Sequence, residues 1–270
     1  MKQNIVVATH HKTGTVWMST VFKAIARKLD VNYVDFWSHY ERLDRVLKTP
    51  FILLNHNSMF LRHANELRRE DVRIVHVIRD PRDVLISAMH YHKKAGEPWL
   101  HERVSGSKDA PYQQRLNSLA TLHEQYLFEL ENATGNTIEA MLDWQYDRRN
   151  CLEVRYEDLW ADRSLSLWSD IASFLGFEGS ELEVCRQCFW EHSLFGKASR
   201  ANRRHARSGE VAQWKREFTP ELAHDFLYRF PDALQTLGYE SDDQWVESLT
   251  GSSKPQAQAC TETRDSILGD

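Results

Sequence analysis

The sequence predicts a single α/β domain built on a central parallel sheet flanked by helices. Three observations carry this. Short runs at 4–8, 51–54 and 72–78 are largely apolar and rich in β-branched residues, the pattern of strands buried on both faces. Each is followed by a stretch whose apolar residues recur at helical spacing, so strands alternate with helices. Each also runs into a polar cluster, and open parallel sheets bind ligands beyond the carboxyl ends of their strands.

The first strand leads into Thr9-His10-His11-Lys12-Thr13-Gly14-Thr15, and residues 16–29 then read as a helix. A strand, a tight turn with glycine and a helix make a P-loop-like phosphate cradle. Backbone N–H groups and the helix dipole face the anion. Lys12 adds a charge, and Thr13 and Thr15 add hydroxyl donors. The order differs from Gly-x-x-x-x-Gly-Lys-Ser/Thr, because Lys12 precedes Gly14 and Gly14 is the only glycine.

Residues 31–37 alternate and are aromatic, a short strand whose Tyr33, Phe36 and Trp37, with Tyr40, either line a pocket or pack at the domain edge. Residues 41–47 read as a helix that Pro50 ends. The strand at 51–54 delivers His56 to the ligand edge, and 61–69 reads as an arginine-rich helix. The strand at 72–78 runs into Arg79-Asp80-Pro81-Arg82-Asp83, and 84–92 is a helix that Asp80 or Asp83 caps, with Ser87 within it. Residues 95–112 have no periodicity and read as a loop over a site. One long amphipathic helix is predicted over 112–133 and another over 136–150. A strand at 151–155 precedes Tyr156-Glu157-Asp158-Leu159; helices follow at 165–175, stopped by Gly176, and at 182–190. Residues 193–216 are strongly basic, 220–237 hold a helix or two around Pro231, and 248–270 read as a disordered tail, leaving 1–247 as the domain.

Composition narrows the function classes. A net charge of −5 over 270 residues argues against bulk nucleic-acid binding. No apolar run approaches the roughly 20 residues of a membrane span. The N-terminus lacks a signal-peptide pattern, so a cytoplasmic location is expected. The four cysteines form no disulfide framework. Cys185, Cys188 and His192 share a helical face and offer three zinc ligands, but small buried residues explain the pair better and no metal site is expected.

Four segments together resemble the sulfotransferases that use 3′-phosphoadenosine 5′-phosphosulfate (PAPS). Lys12-Thr13-Gly14-Thr15-Val16-Trp17 resembles the family's Pro-Lys-Ser-Gly-Thr-Thr-Trp, with His11 in place of proline and Val16 in place of threonine. Arg79-Asp80-Pro81-Arg82-Asp83-Val84, with Ser87 eight residues after Arg79, resembles the 3′-phosphate motif. Tyr156-Glu157-Asp158-Leu159 resembles a third segment. Arg207-Ser208-Gly209 followed by Trp214-Lys215-Arg216-Glu217-Phe218-Thr219 resembles the last, with Ser208 in place of lysine. The resemblance implies that Lys12 stabilises the leaving group and that Thr13, Gly14, Thr15 and Val16 hold the 5′-phosphate. It further implies that Arg79, Ser87, Arg207, Ser208 and Gly209 hold the 3′-phosphate and that Trp17 and Tyr156 flank the adenine. His56, two dozen residues before Arg79, takes the place of the family's base, with His10 and His11 as rivals and His90 and His92 on a helix surface or pocket wall. The acceptor is then a small molecule, a carbohydrate or a lipid. The family's dimer signature is matched at Lys215 and Thr219 but not at Pro220 and His224, so a homodimer stays open. A kinase-like phosphotransferase with an atypical loop is the alternative and needs a magnesium-binding acid, for which Asp80 and Asp158 are placed. A non-enzymatic nucleotide or polyanion binder would need neither Lys12 nor His56.

Overall fold

In the computed structural model, residues 3–36, 50–56, 71–103, 109–144, 149–193, 195 and 209–250 are described. Five strands form one sheet: β1 (Asn4–Thr9), β2 (Asn32–Asp35), β3 (Phe51–Asn55), β4 (Val72–Ile78) and β5 (Cys151–Arg155). Their order is β2-β3-β1-β4-β5 and every pairing is parallel. β1, β3 and β4 are buried along nearly their whole length, which is why their sequences are runs of Val, Ile and Leu without alternation. The chain leaves β1 toward one edge and later passes back over it to β4. The connections around β1 therefore diverge and leave a crevice beyond its carboxyl end.

Helix α1 (Thr15–Leu29) buries Met18, Val21, Phe22, Ile25 and Ala26 on the sheet. Its last turn carries Arg27 and Lys28, the charge sign that a helix C-terminus favours. Helix α2 (Pro81–His92) is capped by Asp80, whose side chain accepts from the Arg82 N–H, and has Pro81 in its first turn, as expected. Short α3 (Pro98–His101) lies within the stretch expected to be only loop.

The single helix expected over 112–133 is two: α4 (Tyr112–Ser118) and α5 (Leu122–Glu131). The break has a local cause. Thr121 and Glu124 form a capping box, each side chain bonding the other's backbone N–H, so a new helix starts there. Helix α6 (Ala133–Leu142) starts earlier and ends earlier than the 136–150 expected. Tyr156 opens α7 (Tyr156–Ala161), followed by α8 (Ser166–Phe174), α9 (Ser180–His192), α10 (Trp214–Glu217), α11 (Pro220–Arg229) and α12 (Ala233–Thr236). A short α13 (Glu247–Thr250) follows, and Leu249 is buried. The helices expected at 41–47 and 61–69, and the tail beyond 250, lie outside the described residues.

One core cluster joins α1, α8 and α9 to the sheet through Phe22, Trp168 and Phe189; the Trp168 and Phe189 rings stack with centroids 4.3 Å apart. Cys185 and Cys188 belong to this core and are both fully buried, and burial pushes both thiols up. On the opposite face α2 packs with α5, α6 and α11. Phe36, expected at a pocket or edge, is buried in a third cluster with residues of β1 to β4 and Trp144.

Trp168 is about 1% exposed and its indole N–H donates to the Cys185 carbonyl at 2.9 Å, tying α8 to α9. Replacing it by alanine removes a large buried ring and the hydrogen bond between the two helices. Trp168→Ala is expected to lower stability by about 3–5 kcal/mol, read by urea titration of the circular-dichroism signal.

Candidate active site

The five strands end in one row and each hands a side chain to the same edge. β2 ends on Asp35, β3 runs into His56, β1 into the 10–14 loop with Lys12, β4 into Arg79 and β5 into Tyr156. In-register parallel pairing, such as Asp35 with Leu54, Ala8 with Asn55, and Ile78 with Arg155, keeps these ends level.

The loop after β1 is closed from inside. The His10 carbonyl accepts from the Thr13 N–H (3.2 Å), the Thr13 hydroxyl (3.0 Å) and the Thr15 hydroxyl (3.0 Å). The His10 N–H donates to the Thr13 hydroxyl at 2.9 Å, and the Thr9 and Thr15 hydroxyls are 2.9 Å apart. Thr13 is expected to add a hydroxyl donor, and the structure shows where that hydroxyl lies. Its side chain is fully buried, and its hydroxyl closes the loop instead of facing an anion, because a buried hydroxyl must find its partners in the protein. Lys12 and Gly14 both have positive φ, 65° and 102°. At Gly14 a Cβ would sit 3.1 Å from the Tyr156 ring, so glycine serves both the turn and the close approach. The first helical bond runs from the Met18 N–H to the Gly14 carbonyl, so the N–H groups of Thr15, Val16 and Trp17 have no partner within α1.

Arg79 joins the segments. It is about 5% exposed. Its guanidinium donates to the Lys12 carbonyl (3.1 Å) and the Glu210 carbonyl (3.0 Å), lies 3.6 Å from the Asp83 carboxylate, and sits 4.5 Å from the centre of the Tyr156 ring. Tyr156 in turn donates its hydroxyl to the Gly209 carbonyl at 3.2 Å. Asp83 accepts the Trp214 N–H at 3.0 Å, and burial pushes its carboxyl up against the pull of Arg79. Trp17 stacks on Phe189 and meets Tyr156 edge-on. Ser87 is half-buried on α2, two turns from Arg79. Arg207 and Ser208 lie outside the described residues, so of that motif only Gly209 is seen at the site.

The Lys12 ammonium rests 3.7 Å from the centre of the Tyr91 ring, and the Tyr91 hydroxyl donates to Glu97 at 2.7 Å. Burial first, and then the Arg79 cation, lower Lys12 to about 8 against the opposing pull of Glu97. Tyr91 was not foreseen as a partner of Lys12, although it stands four residues after Ser87 and so on the same helical face. His56 is half-buried, with its Nε2 3.6 Å from an Asp35 oxygen. It borders a cleft of about 610 Å³, with Thr15, Val16, Ser19, Lys23 and Arg27 along one wall.

The other histidines divide. His90 is half-buried, with Nε2 2.8 Å from Glu217. His92, expected on a helix surface or pocket wall, is fully buried and meets both Glu129 and His11. The physical reason is the buried Glu129 of α5, which gives an inward-facing imidazole a partner. Asp80, the better placed of the two acids for magnesium, spends one carboxylate oxygen on the Arg82 Nε at 3.0 Å and the other on its terminal nitrogen at 2.8 Å. Asp158 is exposed on α7. Among the described residues no group of three or more His, Cys, Asp or Glu side chains is arranged to hold a metal ion.

The family model for the sulfotransferase domain matches residues 2–238. An amine sulfotransferase of Oryctolagus cuniculus is 26% identical, over 86% of this chain and 81% of its own length. Sulfotransferase 2A2 of Rattus norvegicus is 24% identical, over 86% and 85%. Among solved structures, mouse sulfotransferase SULT7A1 complexed with PAP superposes with a TM-score of 0.61 at 18% identity, covering 93% of this chain and 89% of that one. A retinol dehydratase structure containing androsterone and PAP gives a TM-score of 0.53 at 17% identity, over 86% and 80%.

An amine reagent reacts with neutral amines only. Labelling of Lys12 is therefore expected to rise through pH of about 8, below the value near 10.4 of an ordinary lysine. Arg79→Gln removes a repelling cation and should move that midpoint upward, read by peptide mass spectrometry.

Proposed function

The chain belongs to the sulfotransferase family, and we propose that it moves a sulfuryl group from PAPS to a hydroxyl or amine of a small molecule, carbohydrate or lipid. The observation that carries this reading is the single edge on which the strand ends gather Lys12, His56, Arg79 and Tyr156. The donor's nucleotide fits groups of this chain. Arg79 Nε and Trp17 Nε1 are buried N–H donors with no hydrogen-bond partner, and both residues lie against the Tyr156 ring. Arg79 and Ser87, with the backbone at Gly209, hold the 3′-phosphate, and Arg207 and Ser208 are proposed to join them. Trp17 and Tyr156 flank the base. The N–H groups of Thr15 and Val16 at the start of α1 hold the 5′-phosphate, and Thr13 and Gly14 shape the loop that presents them.

The donor supplies a sulfuryl group on a phosphate oxygen, and the protein supplies position and charge. Lys12 swings from the Tyr91 ring to the bridging oxygen, where its cation offsets the charge that develops on the leaving phosphate. His56 accepts the proton of the acceptor hydroxyl through one ring nitrogen, with Asp35 beside it to orient the ring. The cleft along α1 then takes the acceptor. A phosphotransferase is less well supported, since Asp80 is committed to Arg82 and to capping α2.

Thermal-shift titration with 3′-phosphoadenosine 5′-phosphate (PAP), AMP, and ATP with magnesium tests the donor. PAP should stabilise strongly, AMP weakly, and Arg79→Ala should remove the difference. Stronger stabilisation by ATP with magnesium would make the protein a phosphotransferase. With an acceptor in hand, Lys12→Ala should lower kcat on the order of 10²–10³-fold, and His56→Ala by roughly 10²-fold or more. Lys12 is cationic below its lowered pKa, so kcat/KM should fall as the pH rises through about 8.

A further inference from the structure

Two chains of Glu, His and His run beneath the phosphate loop, one to each of its consecutive histidines. In the first, Glu153 Oε2 lies 3.2 Å from His76 Nδ1, and His76 Nε2 lies 2.8 Å from His10 Nε2. In the second, the Thr134 hydroxyl donates to Glu129 Oε2 at 2.8 Å, Glu129 Oε1 lies 2.7 Å from His92 Nδ1, and His92 Nε2 lies 2.9 Å from His11 Nε2. His10 is fully buried and its backbone closes the loop, so its chain serves the fold. His11 is half-buried, immediately precedes Lys12, and is the residue that replaces the proline of the related loops. Neither Glu129 nor His92 has any part in the mechanism above.

Hydrogen-bond logic fixes the protons of the second chain. The Glu129 carboxylate accepts from Thr134, so the short contact to His92 Nδ1 is a donation from His92. A neutral His92 then has its lone pair on Nε2. The contact at 2.9 Å to His11 needs a proton on His11 Nε2, which leaves the His11 lone pair on Nδ1. A buried carboxylate that sets one imidazole's tautomer thereby sets the next. The groups facing the His11 ring are His92 and Tyr91 from α2, Lys12 from its own loop and His56 from the end of β3. Burial, then His92 and Lys12, hold its pKa well below the ordinary histidine value, which agrees with a neutral ring.

Lys12 sits between two clamps. Its backbone is left-handed, φ 65°, a conformation that costs a non-glycine residue roughly 1–2 kcal/mol and needs support from its surroundings. On the C-terminal side the Arg79 guanidinium holds the Lys12 carbonyl. On the N-terminal side the anchor is His11, pinned through His92 to Glu129, both of which are 0% exposed. We propose that His11 is a positioning residue for Lys12, and that His92 and Glu129 set the tautomer through which it holds the loop. This rests on the reading that Lys12 acts at the donor's bridging oxygen.

The test separates the two ends of His92. In His92→Asn the amide stands where Nδ1 was and keeps a partner for Glu129, but nothing reaches His11. In His92→Gln the amide reaches the Nε2 position and can still meet His11. His92→Asn is expected to lower kcat by roughly 10²-fold, the cost of a small misplacement, with the KM for PAPS changed much less. His92→Gln is expected to recover at least tenfold of that loss. Equal loss in both variants, or a kcat unchanged in His92→Asn, would overturn the proposal. The wild-type protein gives a second reading that needs neither variant to fold. Nitrogen-15 histidine spectra at pH 7.5 should show His92 as the neutral Nδ1–H tautomer and His11 as the neutral Nε2–H tautomer. The reverse tautomers, or a charged His11, would overturn it. The spectra require no turnover, so they decide the assignment even if the donor reading fails.

Discussion

A buried guanidinium organises this protein. Arg79 stands at the end of the central strand β4, nearly sealed from water, and a cation in that position must be surrounded by acceptors. Its acceptors come from widely separated parts of the chain: the carbonyl of Lys12, the carbonyl of Glu210 and the carboxylate of Asp83. One side chain thus ties the loop after β1 to the C-terminal part of the basic stretch. Tyr156 lies against the same guanidinium and bonds Gly209, next to Glu210, so the grip on that backbone is doubled. Asp83 extends the tie to the start of α10 through the Trp214 N–H. The N-terminal loop and the closing helices are held in relation to each other by charge and not only by the sheet.

The sheet and the site are linked through strand length and register. Because the strands are parallel and paired in register, their carboxyl ends are level, and one residue more or less in any of them would move its site residue by about 3.3 Å. Burial of β1, β3 and β4 on both faces makes that register costly to change. The precision with which Lys12, His56 and Arg79 are set along one edge therefore comes from the packing of core residues such as Ile5, Val7, Ile52 and Val77. The same low-polarity setting lowers Lys12, since an ammonium flanked by Arg79 and removed from water holds its proton less tightly.

Much of this was legible in the sequence, for reasons that differ by residue. Apolar runs of four to seven residues marked the buried strands, and the polar residue after each run marked the site, because a strand's end is where polarity returns. Asp80 and Pro81 announced the start of α2. Thr121 and Glu124 announced the start of α5 as plainly, yet the apolar periodicity across 112–133 masks the break, since a period persists through a short kink while capping is local. Thr13 reads as an anion donor from its place in the loop; only the folded turn shows that the His10 backbone uses it. The contact of His92 with Glu129 joins residues 37 apart on two different helices, and no local pattern encodes which faces two helices turn to each other. The Tyr91 seat for Lys12 depends on a cation–π distance that follows from the turn of a helix three strands away in sequence.

The distance along the chain between the partners of Arg79 has a consequence for how the protein is made. The Lys12 loop leaves the ribosome early, but Arg79 reaches Glu210 across 131 residues, as Asp83 does Trp214. Even the innermost strand pair, β1 with β4, joins residues more than sixty positions apart. Contacts so distant in sequence form late, after the entropy of closing large loops has been met. During synthesis the sheet can assemble while the edge at Arg79 is still open on one side. A chain that stops short of residue 209 would hold the site residues of all five strands and still lack the backbone that Arg79 and Tyr156 grip. The edge that gathers these residues is completed only when the C-terminal part of the chain has joined it.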